Sequence, residues 1–257
     1  MDPMLSPQET AICTVELGVY KTSKKLMPLF ISAIMAGMFI ALGYTGYLII
    51  AGILGGTGSA KVVGGIAFPV GLTMVLVSGT DLFTSNCLII MAWFKREISG
   101  NTVIKNLGTV WVGNLIGSLF FVLLVYLSGL LMPEDIWLYT VHLAEKKAHL
   151  DFMTAFSRGI LCNFLVAGTA YMSYSAKSVA GKAIFAFVPL WMFVITGFEH
   201  SVANMFAIPM GAALTRDSIS VGSIVTNLIP VTLGNMVGGV LIAAVFYYLT
   251  FHKKKSY

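Results

Sequence analysis

Long apolar stretches alternate with short polar loops along almost the whole chain. Four stretches without any formal charge are about as long as the ~20 residues that cross a bilayer, or longer: 27–60, 62–80, 106–133 and 218–251. The pattern predicts six membrane spans at about 28–53, 62–94, 104–131, 152–174, 183–212 and 222–250. The expected fold class is an all-α integral membrane protein, with one transmembrane domain over residues 1–257.

Similar polar sequences interrupt two of these spans. GTDLFTSN at 79–86 lies within the second span, and GFEHSVAN at 197–204 lies within the fifth. Each begins with Gly, has an acid two positions later and ends with Asn. A second pair of motifs, GNLIGS at 113–118 and GNMVGG at 234–239, follows at a nearly equal distance. The chain therefore contains a sequence repeat, with one copy at 28–131 and the other at 152–250.

The repeat predicts a structure and a position for a site. Each copy contains three spans, so the second copy enters the membrane from the opposite side, which makes the repeat inverted. Backbone that leaves the helix at membrane depth must be buried in protein or face a water-filled cavity. The two breaks are expected to meet near the midplane. A structural kink needs only Gly or Pro, so an acid, hydroxyls and a His at the breaks favour a permeation site.

Small residues recur at helical spacing in three spans and predict close helix contacts in a structural or a functional bundle. They are Ala33, Gly37 and Ala41 in the first span, Gly113 and Gly117 in the third, and Gly234 and Gly238 in the sixth.

Basic residues outside the spans predict the topology. Eleven fall in the two tails and in the loops on the same side, and four fall on the other side. By the positive-inside rule both termini are cytoplasmic, which fits a multi-pass protein of the cell (inner) membrane. Residues 1–27 form a cytoplasmic N-terminal segment, where Ile12, Val15 and Val19 indicate an amphipathic helix on the inner face.

Composition limits the remaining chemistry. Only 11% of residues are charged, and the basic residues behind the net charge of +5 are scattered, so no nucleic-acid partner is expected. The few, dispersed cysteines are interpreted as structural, and the histidines lack metal-site spacing, so no metal or cofactor is expected. Arg158, inside the fourth span, is interpreted as a side chain that snorkels or pairs across a subunit contact. Three histidines are assigned to loops or the tail: His142, His149 and His252.

The motifs GTDLFTSN, GILCNFLV (159–166) and GFEHSVANMFAIPMG (197–211) resemble the formate/nitrite transporter family. The resemblance covers nearly the whole chain. The runs DLFTS and FEHSVANMF are closer to the formate-channel branch and its hydrosulfide-conducting relatives than to the nitrite branch, where ELFTG is more usual. The resemblance implies an aquaporin-like protomer without the NPA signature. It also implies a homopentamer with one pore in each subunit.

The resemblance also implies roles for individual residues. Thr84 and His200 correspond to a facing polar pair at the pore centre, supported by Asn163 and Asn204, and Lys147 corresponds to a vestibule lysine. Hydrophobic constrictions are implied at Phe68, Leu72, Leu82, Phe83, Val166 and Phe193.

These residue types suit anion permeation. A lysine at the outer rim raises the local anion concentration, and rings of Phe and Leu oppose a bare anion, because dehydration is costly. His200 can exchange a proton near neutral pH. The hypothesis is that a small monovalent weak-acid anion takes a proton or a strong hydrogen bond from His200. For His200 alone, a structural role across helices remains open.

Other classes of protein remain as alternatives. An aquaporin-class pore for water or small neutral solutes would share the inverted repeat and the central breaks. A membrane enzyme or a retinal-type receptor is disfavoured, because no acid–His cluster suits a metal and the last span has no lysine for a Schiff base. The chain is therefore not expected to be an enzyme. The sequence does not choose among formate, nitrite and hydrosulfide.

Overall fold

The computed structural model describes residues 4–215 and 218–252, and these residues are almost entirely helical. No strand occurs among them, apart from one isolated bridge between Met4 and Ala176. A 3₁₀ turn, Cys87–Ile89, joins the fifth and sixth helices. The helices are α1 Pro7–Ser23, α2 Leu26–Ile53, α3 Gly58–Gly64, α4 Pro69–Ser78, α5 Phe83–Asn86, α6 Ile90–Phe94, α7 Gly100–Ser128, α8 Glu134–Ala148, α9 Phe152–Ser175, α10 Val179–Thr196, α11 Ser201–Thr215 and α12 Val221–Phe251.

Six helical segments are long and apolar enough to cross a membrane, which confirms the predicted all-α membrane fold. They are Leu26–Ile53, Gly58–Ser78, Gly100–Ser128, Phe152–Ser175, Val179–Thr196 and Val221–Phe251. The shorter apolar helices, Phe83–Phe94 and Ser201–Thr215, follow the second and fifth of these. The charge count that predicts cytoplasmic termini includes Arg216 and Lys253 to Lys255, which lie outside the described residues.

The segment between the third and fourth spans is a helix and not a loop. Helix α7 ends at Ser128, three residues before the predicted end of the span, because Gly129 adopts a left-handed φ of 70°. Helix α8 follows, and it contains His142, so the loop assignment of this histidine is wrong. Acids in its first turn and lysines in its last turn suit the helix dipole. Because these charged residues interrupt the apolar sequence, the segment does not contain an uncharged run long enough to predict a span.

Helix α1 is docked onto the rest of the protein. Ser6 caps it, because its hydroxyl accepts from the Glu9 backbone N–H while the Glu9 carboxylate accepts from the Ser6 N–H. Its buried face consists of Thr10, Ala11, Thr14, Val15 and Gly18. Of the three apolar residues that predict an amphipathic helix, Val15 is buried, whereas Ile12 and Val19 are 42% and 37% exposed.

Glycines bring two pairs of long helices into backbone contact. In the first half α2 packs on α7, where a Cβ on Gly117 would overlap the carbonyl oxygen of Ile34. In the second half α9 packs on α12, where a Cβ on Gly238 would overlap the carbonyl oxygen of Ile160. Larger residues at these positions would separate the helices, so the predicted small-residue contacts are confirmed.

Candidate functional site

The chain leaves the helix at two corresponding places. Helix α4 ends at Ser78 and α10 at Thr196, and the glycine that follows each, Gly79 or Gly197, has a φ of 69° or 70°, which favours glycine. Helical structure resumes at Phe83 and at Ser201. The residues at 80–82 and 198–200 therefore carry backbone groups without helical partners, which need hydrogen bonds from elsewhere.

In the first half, Asn114 of α7 supplies these hydrogen bonds. Its Oδ1 accepts from the backbone N–H of Phe83 at 2.8 Å. Its Nδ2 donates to the carbonyl oxygens of Asp81, at 3.0 Å, and Ala33, at 2.7 Å. One side chain thus fixes the break to two long helices.

In the second half, Asn235 of α12 makes the same set of contacts. Its Oδ1 accepts from the backbone N–H of Ser201 at 2.8 Å. Its Nδ2 donates to the carbonyl oxygens of Glu199 and Gly159, each at 2.9 Å. Both asparagines belong to the repeated motifs of the third and sixth spans. The sequence of those motifs predicts only helix packing, and nothing in it indicates this hydrogen-bonding role.

A buried ion pair lies beside the second break. The Lys147 ammonium donates to both carboxylate oxygens of Glu199, at 2.9 and 3.0 Å, and to Oδ1 of Asn204 at 3.0 Å. Asn204 Nδ2 donates to Glu199 and to Asn227 Oδ1, and Asn227 Nδ2 donates to the Lys147 carbonyl oxygen. We call these four residues the Glu199 cluster.

This cluster changes the interpretation of two predicted site residues. Lys147 is only 8% exposed and its charge is paired with Glu199, so it is not a free lysine at the rim. The side chain of Asn204 bonds within the cluster and to neither Thr84 nor His200. The sequence pattern hid this, because Lys147 and Glu199 are 52 positions apart.

The first break carries a matching cluster, which we call the Asp81 cluster. Lys21 donates to Asn86 Oδ1 at 2.6 Å, and Asn86 Nδ2 donates to Asp81 and to Asn106. Asn106 Nδ2 donates to the Lys21 carbonyl oxygen. Lys24 adds an ion pair to Asp81 at 2.6 Å. From the sequence, both lysines are expected only to set the topology.

The predicted central pair is in direct contact. Thr84 Oγ1 lies 2.9 Å from His200 Nε2, and both residues are buried. The backbone N–H of Ala203 donates to His200 Nδ1 at 3.0 Å, so a neutral ring carries its hydrogen on Nε2 and donates it to Thr84. The Thr84 hydroxyl hydrogen is then free to donate to a third group. Asn163 supports the pair, because its Nδ2 donates to the Thr84 carbonyl oxygen at 3.2 Å.

The six predicted constriction residues are buried in one continuous apolar core: Phe68, Leu72, Leu82, Phe83, Val166 and Phe193. The ring centroids of Phe68 and Phe193 are 5.1 Å apart. The Phe193 ring lies 6.1 Å from the His200 ring, so this aromatic pair borders the polar centre. Phe83 also borders a separate apolar cavity of about 540 Å³ between α7 and α12.

A cavity of about 470 Å³ lies on the α8 side of Phe193, and we call it the α8 vestibule. Its lining includes four basic side chains and one carboxylate: Lys61, Lys146, Lys147, Arg158 and Glu199. His142 of α8 also lines it. Because the Lys147 charge is paired with Glu199, the remaining basic groups give the cavity an excess of positive charge.

The fold and these contacts define a multi-pass membrane protein whose two similar halves enclose a buried polar centre beside apolar side chains. The chain belongs to the family described as Formate/nitrite transporter, which residues 8–249 match. This result confirms the resemblance inferred from the sequence. The family consists of transporters and not of enzymes.

Relatives and solved structures agree with this assignment. The formate channel FocA of Escherichia coli is 40% identical, over 99% of this chain and 97% of the relative. A probable formate transporter of Methanothermobacter thermautotrophicus is 34% identical, over 97% and 98%. A pentameric formate channel with formate bound matches with a TM-score of 0.79 and 32% identity, over 89% of this chain and 98% of that one. An FNT family ion channel gives 0.83 and 28%, over 94% and 99%.

Proposed function

We propose that this protein is a membrane channel for small monovalent weak-acid anions, with formate as the first candidate. The Thr84–His200 contact carries the proposal, because it leaves the Thr84 hydroxyl as a hydrogen-bond donor in a buried centre bordered by apolar side chains. Relatives named as formate channels, which match almost the whole chain, support the choice of anion.

Anions enter from the α8 vestibule. Its excess of basic side chains raises the local concentration of anions, and the effect weakens as salt screens the charges. Lys147 contributes less to this field than the sequence suggested, because Glu199 neutralises it. Lys61, Lys146 and Arg158 are the basic lining residues for which no ion pair exists among the described residues.

The anion then passes the ring of Phe68 and Phe193 and reaches the central pair. An apolar gap strips water from the anion, which is costly unless donors replace that water. The Thr84 hydroxyl provides such a donor, and neutral His200 orients it by donating its Nε2–H to Thr84 Oγ1. A protonated His200 could also transfer a proton to the anion, but its Nδ1–H would then oppose the Ala203 N–H. Both routes lower the effective charge that crosses the apolar region.

We also propose that the protein is a homopentamer of the inner membrane with both termini in the cytoplasm. The pentameric relative supports the assembly, and the bias of basic residues supports the orientation. Cross-linking in mild detergent should give species up to pentamers, and only monomers or dimers would contradict the assembly. A reporter fused after residue 257 should report a cytoplasmic location.

One transport panel tests the proposed function against an aquaporin-class pore. Proteoliposomes containing the protein are assayed with formate, nitrite, hydrosulfide and glycerol side by side. We expect anion flux above that of empty liposomes and little glycerol flux. Glycerol or water flux without anion flux would support the alternative.

A further inference from the structure

Tyr44 of α2 has a hydroxyl group that none of the roles above uses. The residue is only 4% exposed and it lines the α8 vestibule. Its hydroxyl makes no hydrogen bond within the described residues, yet its oxygen is not among the fully enclosed unpartnered polar atoms. The small exposed part of this side chain therefore includes the hydroxyl, which opens into the vestibule.

The neighbouring tyrosines of the same cavity differ in this respect. The hydroxyls of Tyr47 and Tyr139 are bonded to each other at 2.5 Å. The Tyr44 ring lies edge-on to Phe68, with 5.8 Å between centroids, and Phe68 in turn packs on Phe193. The Tyr44 side chain thus packs directly on the Phe68–Phe193 pair that is proposed as the constriction.

Arg158, one of the basic residues that line the vestibule, is the second group. Asn235 binds the carbonyl oxygen of Gly159 as Asn114 binds that of Ala33, so Arg158 occupies the position that Ser32 has in the first half. Ser32 donates to the carboxylate of Asp81. Arg158 makes no ion pair within the described residues, and the Glu199 carboxylate already accepts from Lys147 and Asn204. Its guanidinium therefore contributes an uncompensated positive charge to the vestibule.

We propose that Tyr44 and Arg158 form an anion subsite in the α8 vestibule that favours anions with oxygen acceptors, such as formate or nitrite, over hydrosulfide. The proposal deepens the proposed function and rests on it. A guanidinium presents several N–H donors in a plane and can bind two oxygens at once, and a phenol adds one more donor. Hydrosulfide has a single, weakly accepting sulfur, so it gains charge attraction but few hydrogen bonds.

The main test compares the half-saturating concentrations of formate and hydrosulfide in proteoliposomes for Tyr44→Phe and for the wild type. Losing one hydrogen bond should raise the value for formate by about 3- to 10-fold and leave that for hydrosulfide within about 2-fold. Tyr47→Phe is the matched control, because it removes a paired hydroxyl from the same cavity. Equal effects of the two variants, or an equal effect of Tyr44→Phe on both anions, would overturn the subsite.

Arg158 provides an independent arm if Tyr44→Phe fails to assemble. Arg158→Gln should raise the half-saturating concentrations of both anions, and that of formate more strongly. Arg158→Lys should return the value for hydrosulfide to that of the wild type but should not do so for formate. Lys105→Gln is the control for the loss of one positive charge. Lys105 is exposed, it does not line the α8 vestibule, and its neighbour Asn106 belongs to the Asp81 cluster. Full recovery of formate in Arg158→Lys, or an equal loss in Lys105→Gln, would contradict the proposal.

A binding measurement separates this inference from the proposed function. Formate should raise the melting temperature of the wild-type protein in detergent more than chloride does at the same ionic strength, because a ligand stabilises the state that binds it. Tyr44→Phe and Arg158→Gln should reduce that difference. If formate binds in this way but no anion is transported, the proposed function fails and the subsite stands. If formate is transported and chloride stabilises equally, the subsite fails alone.

Discussion

The Asp81 and Glu199 clusters lie in opposite halves of the chain and share one pattern of hydrogen bonds. In each, a lysine bonds an asparagine of the polar break, and that asparagine bonds the acid and a second asparagine on a long helix. The lysine comes from α1 in the first half and from α8 in the second. The correspondence therefore extends beyond the predicted repeats of 28–131 and 152–250 to the helix that precedes each of them.

The two halves differ where a solute would pass. At the position of Leu82 in the first break, the second break has His200, and at the position of Thr84 it has Val202. The buried frame of asparagines and acids is duplicated, whereas the polar pair is built from one residue of each half. Duplication thus accounts for the support of the site, and divergence accounts for its chemistry.

The largest expected effect is on the Glu199 ion pair. Glu199→Gln leaves the Lys147 ammonium buried without a carboxylate, which costs about 3–5 kcal/mol. Asp81→Asn should cost less, because Lys24 lies at the end of α1 beside exposed residues and can turn to solvent. Melting temperatures of the oligomer in detergent should therefore fall further for Glu199→Gln.

A double variant checks the cause of that effect. Combining Glu199→Gln with Lys147→Met removes the unpaired charge and should recover much of the lost stability. No recovery would mean that Glu199 acts through Asn204 or the backbone of the break and not through the ion pair.

The sequence predicted the spans, the two breaks, the family and the Thr84–His200 contact, because apolar runs and short motifs carry that information. It did not reveal that Lys21 reaches Asn86, or that Lys147 is buried against Glu199. These partners are 65 and 52 positions apart, and only the packing of α1 and α8 brings them together. Tyr44 was likewise indistinguishable from other aromatic residues of an apolar span.

The second-largest effect tests whether Asn114 and Asn235 stabilise the two breaks equally. Asn114→Ala and Asn235→Ala each leave a backbone N–H and two carbonyl groups without their partner. Each should lower stability by about 2–4 kcal/mol, since a lost buried partner costs about 1–3 kcal/mol and water replaces part of it. Similar losses in melting temperature are expected, and a loss in only one half would contradict the equivalence.

The third effect concerns the residues that make the halves unlike. His200→Asn keeps a hydrogen-bond donor but removes the ring that can carry a proton, so formate flux should fall by about tenfold and its variation between pH 5 and pH 8 should flatten. Thr84→Ala should lower flux with less change in the pH profile, because a hydroxyl has no accessible pKa. Flux in proteoliposomes measures both. An unaltered profile in His200→Asn would leave His200 as a neutral donor or a structural residue.

The smallest effect concerns the apolar residues around the pair. Leu82→Val or Phe193→Ile should widen the gap that strips water from the anion, and so raise flux or admit larger anions. Leu82→Val removes one methylene, which costs about 0.5–1.5 kcal/mol in a closed core, so the oligomer should still form. Leu76→Val is a suitable control, because Leu76 packs against the core but is not among the predicted constriction residues.

Since Leu82 and His200 occupy equivalent positions, raised flux in Leu82→Val would show that both breaks border the pathway, one with an apolar and the other with a polar side chain. Unchanged flux with normal assembly would mean that Leu82 does not line the narrow part of the pathway.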